Sequence, residues 1–105
     1  MNKVLQGTTP KLVMILPSDI EATDVTSVEL TLVHKDTKTI VETAGVEIDA
    51  ENNAIRYRFT EAYTLLLDPK YPLYWQLRIR TPDGIFGTEE AEIDVKKLLS
   101  GRAMT

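Results

Sequence analysis

Short stretches in which every second residue is apolar alternate along this chain with turns rich in Asp, Asn, Gly and Pro. The pattern runs from residue 11 to residue 95 and takes in most of the chain. A period of two places successive side chains on opposite faces of a β-strand, so one face of each strand is apolar and the other is polar. The pattern therefore predicts an all-β domain, and it leaves few residues from which an active site could be built.

Three stretches carry the clearest alternation, over residues 27–34, 54–59 and 73–81. We expect the last of them to be the central, most buried strand of the domain, because its apolar face is made of large side chains. The residues predicted to face the core are Val28, Leu30 and Leu32; Ile55, Tyr57 and Phe59; and Trp75, Leu77 and Ile79.

Weaker strand predictions cover residues 11–16, 39–42, 46–49 and 85–95. The first of these lacks a clean alternation, which favours either burial on both faces or a strand that swaps between the sheets. Between the strands, Thr60 is a candidate helix N-cap, and the pair Asp68-Pro69 is a stop signal. Residues 60–67 are therefore predicted to form one or two helical turns that cross from one sheet to another.

Strands of this length, separated by turns about every 8–12 residues, predict an immunoglobulin-like β-sandwich. The fold class is thus all-β, with about seven antiparallel strands and one short helical crossover. We expect a flexible N-terminal arm over residues 1–10, the sandwich over residues 11–99 and a C-terminal tail over residues 100–105.

Size and composition restrict the classes of function. The 105 residues suffice for one domain, and the absence of cysteine excludes disulfides, thiolate zinc sites and cysteine nucleophiles. The net charge of −4 disfavours nucleic-acid binding, because phosphate contacts need a basic face. No apolar stretch matches a signal peptide or a membrane span, so we expect a soluble chain without a signal sequence.

Two sets of residues are candidates for chemical sites. His34 is the single histidine, and its place beside Lys35-Asp36 predicts a solvated strand end and no catalytic base. Asp49, Glu51 and Asn53 alternate like the oxygen ligands of a calcium loop, but the glycine and the distal glutamate of such a loop are missing, which favours a plain turn. We therefore expect no catalytic residue, no metal site and no cofactor.

A third set predicts protein contact. Tyr74, Arg78 and Arg80 share one face of a predicted strand, and tyrosine and arginine are enriched at protein interfaces. Arg56 and Arg58 are further candidates. The carboxylates of Glu90, Glu92 and Asp94 also share one strand face, and we expect them to pair with these arginines across strands, or to contact a second copy of the chain.

An aromatic sugar-binding platform of Tyr63, Tyr71 and Trp75 is an alternative use of the aromatic residues. Because Trp75 has the phase of the core-facing set, we favour a place in the core. Tyr63 lies at the predicted crossover, where sandwiches often bury a tyrosine.

The order of segments also resembles a known family. Its marks are Gly7-Thr8-Thr9-Pro10 before an apolar strand, the phrase DVTSVELTL from Asp24 to Leu32, the turn Asn52-Asn53, and Trp75 to Arg80 followed by Thr81-Pro82-Asp83-Gly84. Together they resemble small structural proteins of tailed bacteriophages and prophages of Gram-positive bacteria, and more loosely the immunoglobulin-like N-terminal domain of siphophage upper baseplate proteins.

The resemblance covers about residues 7–101, and it implies a non-enzymatic virion component of the tail or baseplate that acts through protein–protein assembly. Its partners would be other virion proteins or copies of itself, in the virion or in the bacterial cytoplasm during assembly. One alternative is a ligand-binding β-sandwich module for carbohydrate or calcium. A second alternative is an enzyme or an accessory domain of one, which would need a cleft around His34 or the carboxylates.

Overall fold

The structure is a computed structural model that describes residues 1–104. The strands are β1 (Lys3–Leu5), β2 (Lys11–Ile15), β3 (Ser27–His34), β4 (Thr37–Glu42), β5 (Glu47–Asp49), β6 (Ala54–Arg58), β7 (Leu73–Thr81), β8 (Gly84–Gly87) and β9 (Ala91–Lys96). A short helix, α1 (Glu61–Leu65), separates β6 from β7. Single 3-10 turns lie at Ala22–Asp24 and Thr43–Gly45.

These strands form two sheets with one hydrophobic core, which confirms the prediction of an all-β sandwich. The large sheet has the strand order β1-β9-β7-β3-β4, with β8 also paired to β7. The small sheet has the order β2-β6-β5. Strands pair antiparallel throughout, apart from β1, which runs parallel to β9.

The central pair of the large sheet is β3 and β7, which have the bounds that the alternation predicts. Side chains from both strands meet in the core, where Leu30 and Leu77 lie opposite each other in the register and are almost fully buried. Trp75 has the predicted inward phase and packs, half-buried, against the same core. The central strand is thus β7, as its large apolar residues indicated.

Strand β2 alternates more strictly than its sequence suggested. Leu12 and Met14 are buried, whereas Val13 and Ile15 are 45% and 69% exposed. The prediction of burial on both faces is wrong, because the large sheet covers only one side of the small sheet. Strand β2 therefore presents apolar side chains to solvent.

The helical crossover between the sheets is confirmed. The Thr60 hydroxyl accepts the Tyr63 N–H at 3.1 Å and so caps α1. Beyond the helix, Leu67 is buried in the core and Leu66 is 83% exposed. The chain thereby passes from β6 in the small sheet to β7 in the large sheet.

The N-terminal segment is not a loose arm. Lys3–Leu5 forms β1 and pairs with Asp94 to Lys96 of β9, and Val4 is 2% exposed. Gly7 then takes φ +73, and a Cβ at this position would lie 2.8 Å from Leu98 Cδ2. The first residues are held because β9 offers a free edge and Val4 completes the core beside it.

The predicted last strand, over residues 85–95, is in fact two strands. After β8, the Thr88 N–H donates to the Leu77 carbonyl at 2.9 Å, and the Thr88 hydroxyl accepts the Leu77 N–H at 3.0 Å. The Thr88 hydroxyl thus accepts a hydrogen bond that a backbone carbonyl would accept in a regular strand. Pairing with β7 then stops, and it begins again in β9 with Ala91 opposite Trp75. With β1, this division gives nine strands within residues 1–104, where about seven were expected.

Among residues 1–104, no helix is both long enough and apolar enough to cross a membrane.

Candidate functional site

The polar side of the large sheet carries three of the five predicted interface residues. Tyr74 lies half-buried on this side of β7, and Arg78 and Arg80 follow it four and six residues later, both exposed. We call this surface the outer face of the large sheet. These three residues therefore share one face, and their role in protein contact stays a prediction.

One ion pair crosses this face. An Arg78 guanidinium nitrogen lies 3.0 Å from a Glu29 carboxylate oxygen on the neighbouring strand, and both side chains are substantially exposed. Exposed pairs of this kind contribute about 0–1 kcal/mol to stability. A concavity of about 300 Å³ opens beside the pair, between Glu42 and Arg80. Its lining is more polar than apolar and includes both charged residues and Ile85, which suits contact with another polar surface better than capture of an apolar ligand.

Arg56 and Arg58 lie on the other side of the molecule, on the exposed side of the small sheet. Arg56 forms an ion pair with Asp49 of β5, and Arg58 donates to the Thr9 carbonyl at 2.7 Å. The predicted interface residues thus belong to two opposite surfaces. Arg56 and Arg58 already bind groups within their own chain, whereas the Arg80 guanidinium makes no hydrogen bond or ion pair within residues 1–104.

The predicted ladder of carboxylates and arginines on the large sheet does not form. Glu92 lies opposite Tyr74, and Arg78 lies opposite Gly87. The tight turn between β7 and β8 causes this difference, since it pairs β8 with the end of β7 that carries the arginines and leaves the acidic strand beside the beginning of β7. In the part of the chain that the structure describes, Glu90, Glu92 and Asp94 belong to no ion pair.

Strand β4 forms one edge of the large sheet and adds a feature that the sequence did not reveal. Lys38, Ile40 and Glu42 point to the outer face, and Ile40 is 51% exposed. The length of the turn before β4 would have predicted this orientation. Because the turn Lys35-Asp36 has two residues, it sets which residue of β4 lies opposite which residue of β3, and in that register Ile40 points to the outer face.

His34 ends β3, as expected, but it is not solvated. Its side chain is buried, and Nε2 accepts the Asp68 N–H at 2.8 Å while Nδ1 lies 3.3 Å from the Pro72 carbonyl. These partners fit a neutral imidazole with its proton on Nδ1. The prediction of a solvated histidine is wrong, because the chain between α1 and β7 folds back over the end of β3.

The turn after β5 uses its polar atoms internally. Both Asp49 carboxylate oxygens accept from Asn52, one from the backbone N–H and one from the side-chain amide. These bonds, and the Arg56 guanidinium, hold the pKa of Asp49 below its ordinary value. Asn53 takes a left-handed backbone with φ 51, and its amide binds Ile20 and Ala22.

The arrangement around this turn is therefore that of a plain turn, with a left-handed asparagine at its end. Among the described residues, no group of three or more histidine or acidic side chains is placed to hold a metal ion.

The aromatic residues considered as a sugar platform have separate surroundings. The Tyr63 ring stacks on Phe59 with ring centres 6.1 Å apart, and burial raises the pKa of the Tyr63 phenol. Tyr71 packs edge-on against His34 and lies beneath Lys35, whose Nζ is 4.7 Å from the ring centre. Trp75 packs against the core. Each ring thus has a packing role of its own.

Comparison with known proteins identifies no relative: no family model, no curated protein and no solved structure matches this chain.

Proposed function

We propose that this chain is a non-enzymatic structural protein of a bacteriophage or prophage virion, a tail or baseplate component that binds other virion proteins or copies of itself. The observation that carries the proposal is the outer face of the large sheet. Tyr74, Arg78 and Arg80 all lie on this face, and the Arg80 charge has no partner within residues 1–104. Residues of these types supply much of the binding energy at protein interfaces.

The strand order supports an immunoglobulin-like sandwich as the scaffold. A large sheet of order β1-β9-β7-β3-β4 facing a small sheet of order β2-β6-β5 has the division of strands found in that architecture. The chain changes sheet four times, between β1 and β2, between β2 and β3, between β4 and β5, and between β6 and β7. Sandwiches of this kind often serve as binding modules on surfaces and in assemblies.

The segment order that resembles small structural proteins of tailed phages supports the virion part of the proposal. The expected location is the virion, or the bacterial cytoplasm while the particle is assembled.

The direct test is particle proteomics. Phage particles are induced from the bacterium that carries the gene, purified on a density gradient and analysed by quantitative mass spectrometry. We expect this chain to co-purify with intact particles at a fixed ratio to the tail proteins. A chain that stays in the particle-free fraction would contradict the proposal.

Charge reversal decides which surface binds. We expect Arg80→Glu to lower incorporation of the chain into particles by about tenfold, because it inverts an exposed charge at a contact. Lys11→Glu is the matched control, since Lys11 is an exposed cation on the small sheet. Equal incorporation of the two variants would exclude the outer face of the large sheet as the binding surface.

A further inference from the structure

Strand β4 is an open edge of the large sheet, and the hydrogen bonds of the hairpin show which of its backbone groups are free. The turn between β3 and β4 has two residues, so His34 and Thr37 face each other as the first hydrogen-bonded pair. The Val28 N–H continues this phase at the far end of the hairpin, where it donates to the Thr43 hydroxyl at 2.8 Å.

In an antiparallel pair, hydrogen-bonded positions recur at every second residue. Thr37, Thr39 and Val41 therefore bind β3 through their backbones. The N–H and C=O groups of Lys38, Ile40 and Glu42 point away from the sheet, and the side chains of these three residues lie exposed on the outer face.

The three residues form a sequence that is complementary to itself. When two copies of β4 are set antiparallel about a two-fold axis at Ile40, Lys38 faces Glu42 of the second copy, and Ile40 faces Ile40. Opposite charges directly across strands stabilise a sheet, and the same residues carry the free backbone groups. Each of the three pairs can then form both of its hydrogen bonds.

The charges within one chain point to the same partner. Glu42 lies directly opposite Glu29 in the register, a like-charge pair that destabilises a sheet. Arg78 neutralises Glu29, whereas neither Glu42 nor Lys38 takes part in an ion pair among residues 1–104. A second copy would supply Lys38 beside Glu42, so that each of the two adjacent glutamates would have a cation on its other side, Arg78 beside Glu29 and that lysine beside Glu42.

The other free edges lack these properties. Strands β1 and β5 have three residues each, and β8, which pairs only with β7, has no charged residue. On β2 the same construction about Val13 places Lys11 against Ile15, so no charges pair. An edge lysine ordinarily prevents strands from associating. On β4, Glu42 lies four residues after Lys38 and can pair with the lysine of a second copy. The lysine therefore favours association with a second copy that is antiparallel and centred on Ile40.

We propose that β4 is a self-association edge through which two copies of this chain join their large sheets into one continuous sheet. The inference deepens the proposed assembly function and rests on it, since it names a second copy as one partner. The contact is isologous and closes after two chains, so it leaves the rest of the outer face for other subunits.

Charge exchange tests the register. We expect the wild-type chain to show a reversible monomer–dimer equilibrium in sedimentation velocity at protein concentrations up to roughly 1 mM. Lys38→Glu and Glu42→Lys should each weaken dimerisation by about tenfold, because each places like charges across both ends of the contact. An equimolar mixture of the two variants should form a heterodimer at wild-type strength, since every charged pair is then opposite again. A simple folding defect would not be repaired by mixing.

Cysteine cross-linking tests the two-fold axis. The chain has no native cysteine, and hydrogen-bonded cross-strand pairs have Cα atoms about 5.5 Å apart, within disulfide range. We expect Ile40→Cys to give a covalent dimer under mild oxidation. Val13→Cys, similarly exposed at the centre of the other sheet's edge strand, should remain monomeric.

A wild-type chain that is monomeric throughout the concentration range, or equal cross-linking of the two cysteine variants, would overturn the inference. Either result together with the chain's presence in purified particles would leave the proposed function intact. A β4 dimer formed by a chain that is missing from particles would instead contradict the proposed function alone.

Discussion

At the scale of single residues, His34 shows how a polar side chain becomes part of a core. Its imidazole connects the end of β3 to the segment between α1 and β7 by accepting the Asp68 N–H. The neighbouring Lys35 also reaches Asp68, through an exposed ion pair of 3.0 Å. The two contacts join the same pieces of chain, but the one made by His34 is partly buried and the one made by Lys35 is exposed.

This difference predicts different costs of removal. His34→Ala should lower the free energy of unfolding by about 1–3 kcal/mol, because the buried Asp68 N–H would lose its acceptor. Lys35→Ala should cost no more than about 1 kcal/mol, as is usual for an exposed pair. Urea denaturation followed by tryptophan fluorescence measures both, and equal costs would show that the imidazole hydrogen bond contributes little.

At the scale of elements, β1 is the strand that the sequence did not predict. It contains three residues, of which only Val4 is buried, so no periodicity can emerge. Val4→Ala should destabilise the fold by about 1–3 kcal/mol, through lost burial of two methyl groups and the cavity that remains.

Leu5→Ala is the matched control, because Leu5 lies on the same strand and is 41% exposed. Its cost should stay below about 1 kcal/mol. Thermal unfolding by circular dichroism distinguishes the two variants. If Val4→Ala unfolds at the wild-type temperature, the N-terminal segment contributes nothing to the core.

The elements that the sequence predicted correctly are formed by contacts between residues close in sequence, whereas those it did not predict depend on contacts between distant residues. β3 and β7 follow from alternation along their own residues, and the cap at Thr60 and the left-handed turn at Asn53 follow from local chemistry. The division at Thr88 depends on hydrogen bonds to Leu77, and the burial of His34 depends on Asp68. Contacts between distant segments leave no periodic trace, and the face on which Ile40 lies could be assigned only once the pairing of β4 was known.

At the scale of the whole molecule, two aspartates in turns make stability sensitive to acid. Hydrogen bonds from Asn52 lower the pKa of Asp49 below its ordinary value of 3.8. Hydrogen bonds from the Lys70 N–H and, to a smaller extent, from the Lys35 side chain lower the pKa of Asp68 below the same value. At acidic pH the unfolded chain thus binds more protons than the folded chain. The stability that these carboxylates add is complete above their unfolded pKa and is lost as the pH falls through the folded pKa.

The double variant Asp49→Asn/Asp68→Asn should therefore lose less thermal stability between pH 7 and pH 3 than the wild type. The comparison is the difference in Tm at the two pH values, measured by calorimetry in buffers of equal ionic strength. Asp36→Asn, in the exposed β3–β4 turn, serves as the control and should keep the wild-type dependence. A double variant that follows the wild-type curve would exclude these two groups as a source of acid sensitivity.

The parallel pairing of β1 with β9 has a consequence for how the chain reaches this structure on the ribosome. Lys3–Leu5 is synthesised before the other strands of this sandwich, yet its partner, Asp94 to Lys96, is translated some ninety residues later. The strand of the sandwich that is synthesised first is therefore among the last to pair with its neighbour. Until β9 has left the exit tunnel, Val4 stays exposed and the large sheet lacks both strands at this edge. The emergence of β9 from the exit tunnel, and not the emergence of any single hairpin, therefore sets the moment at which the sandwich closes.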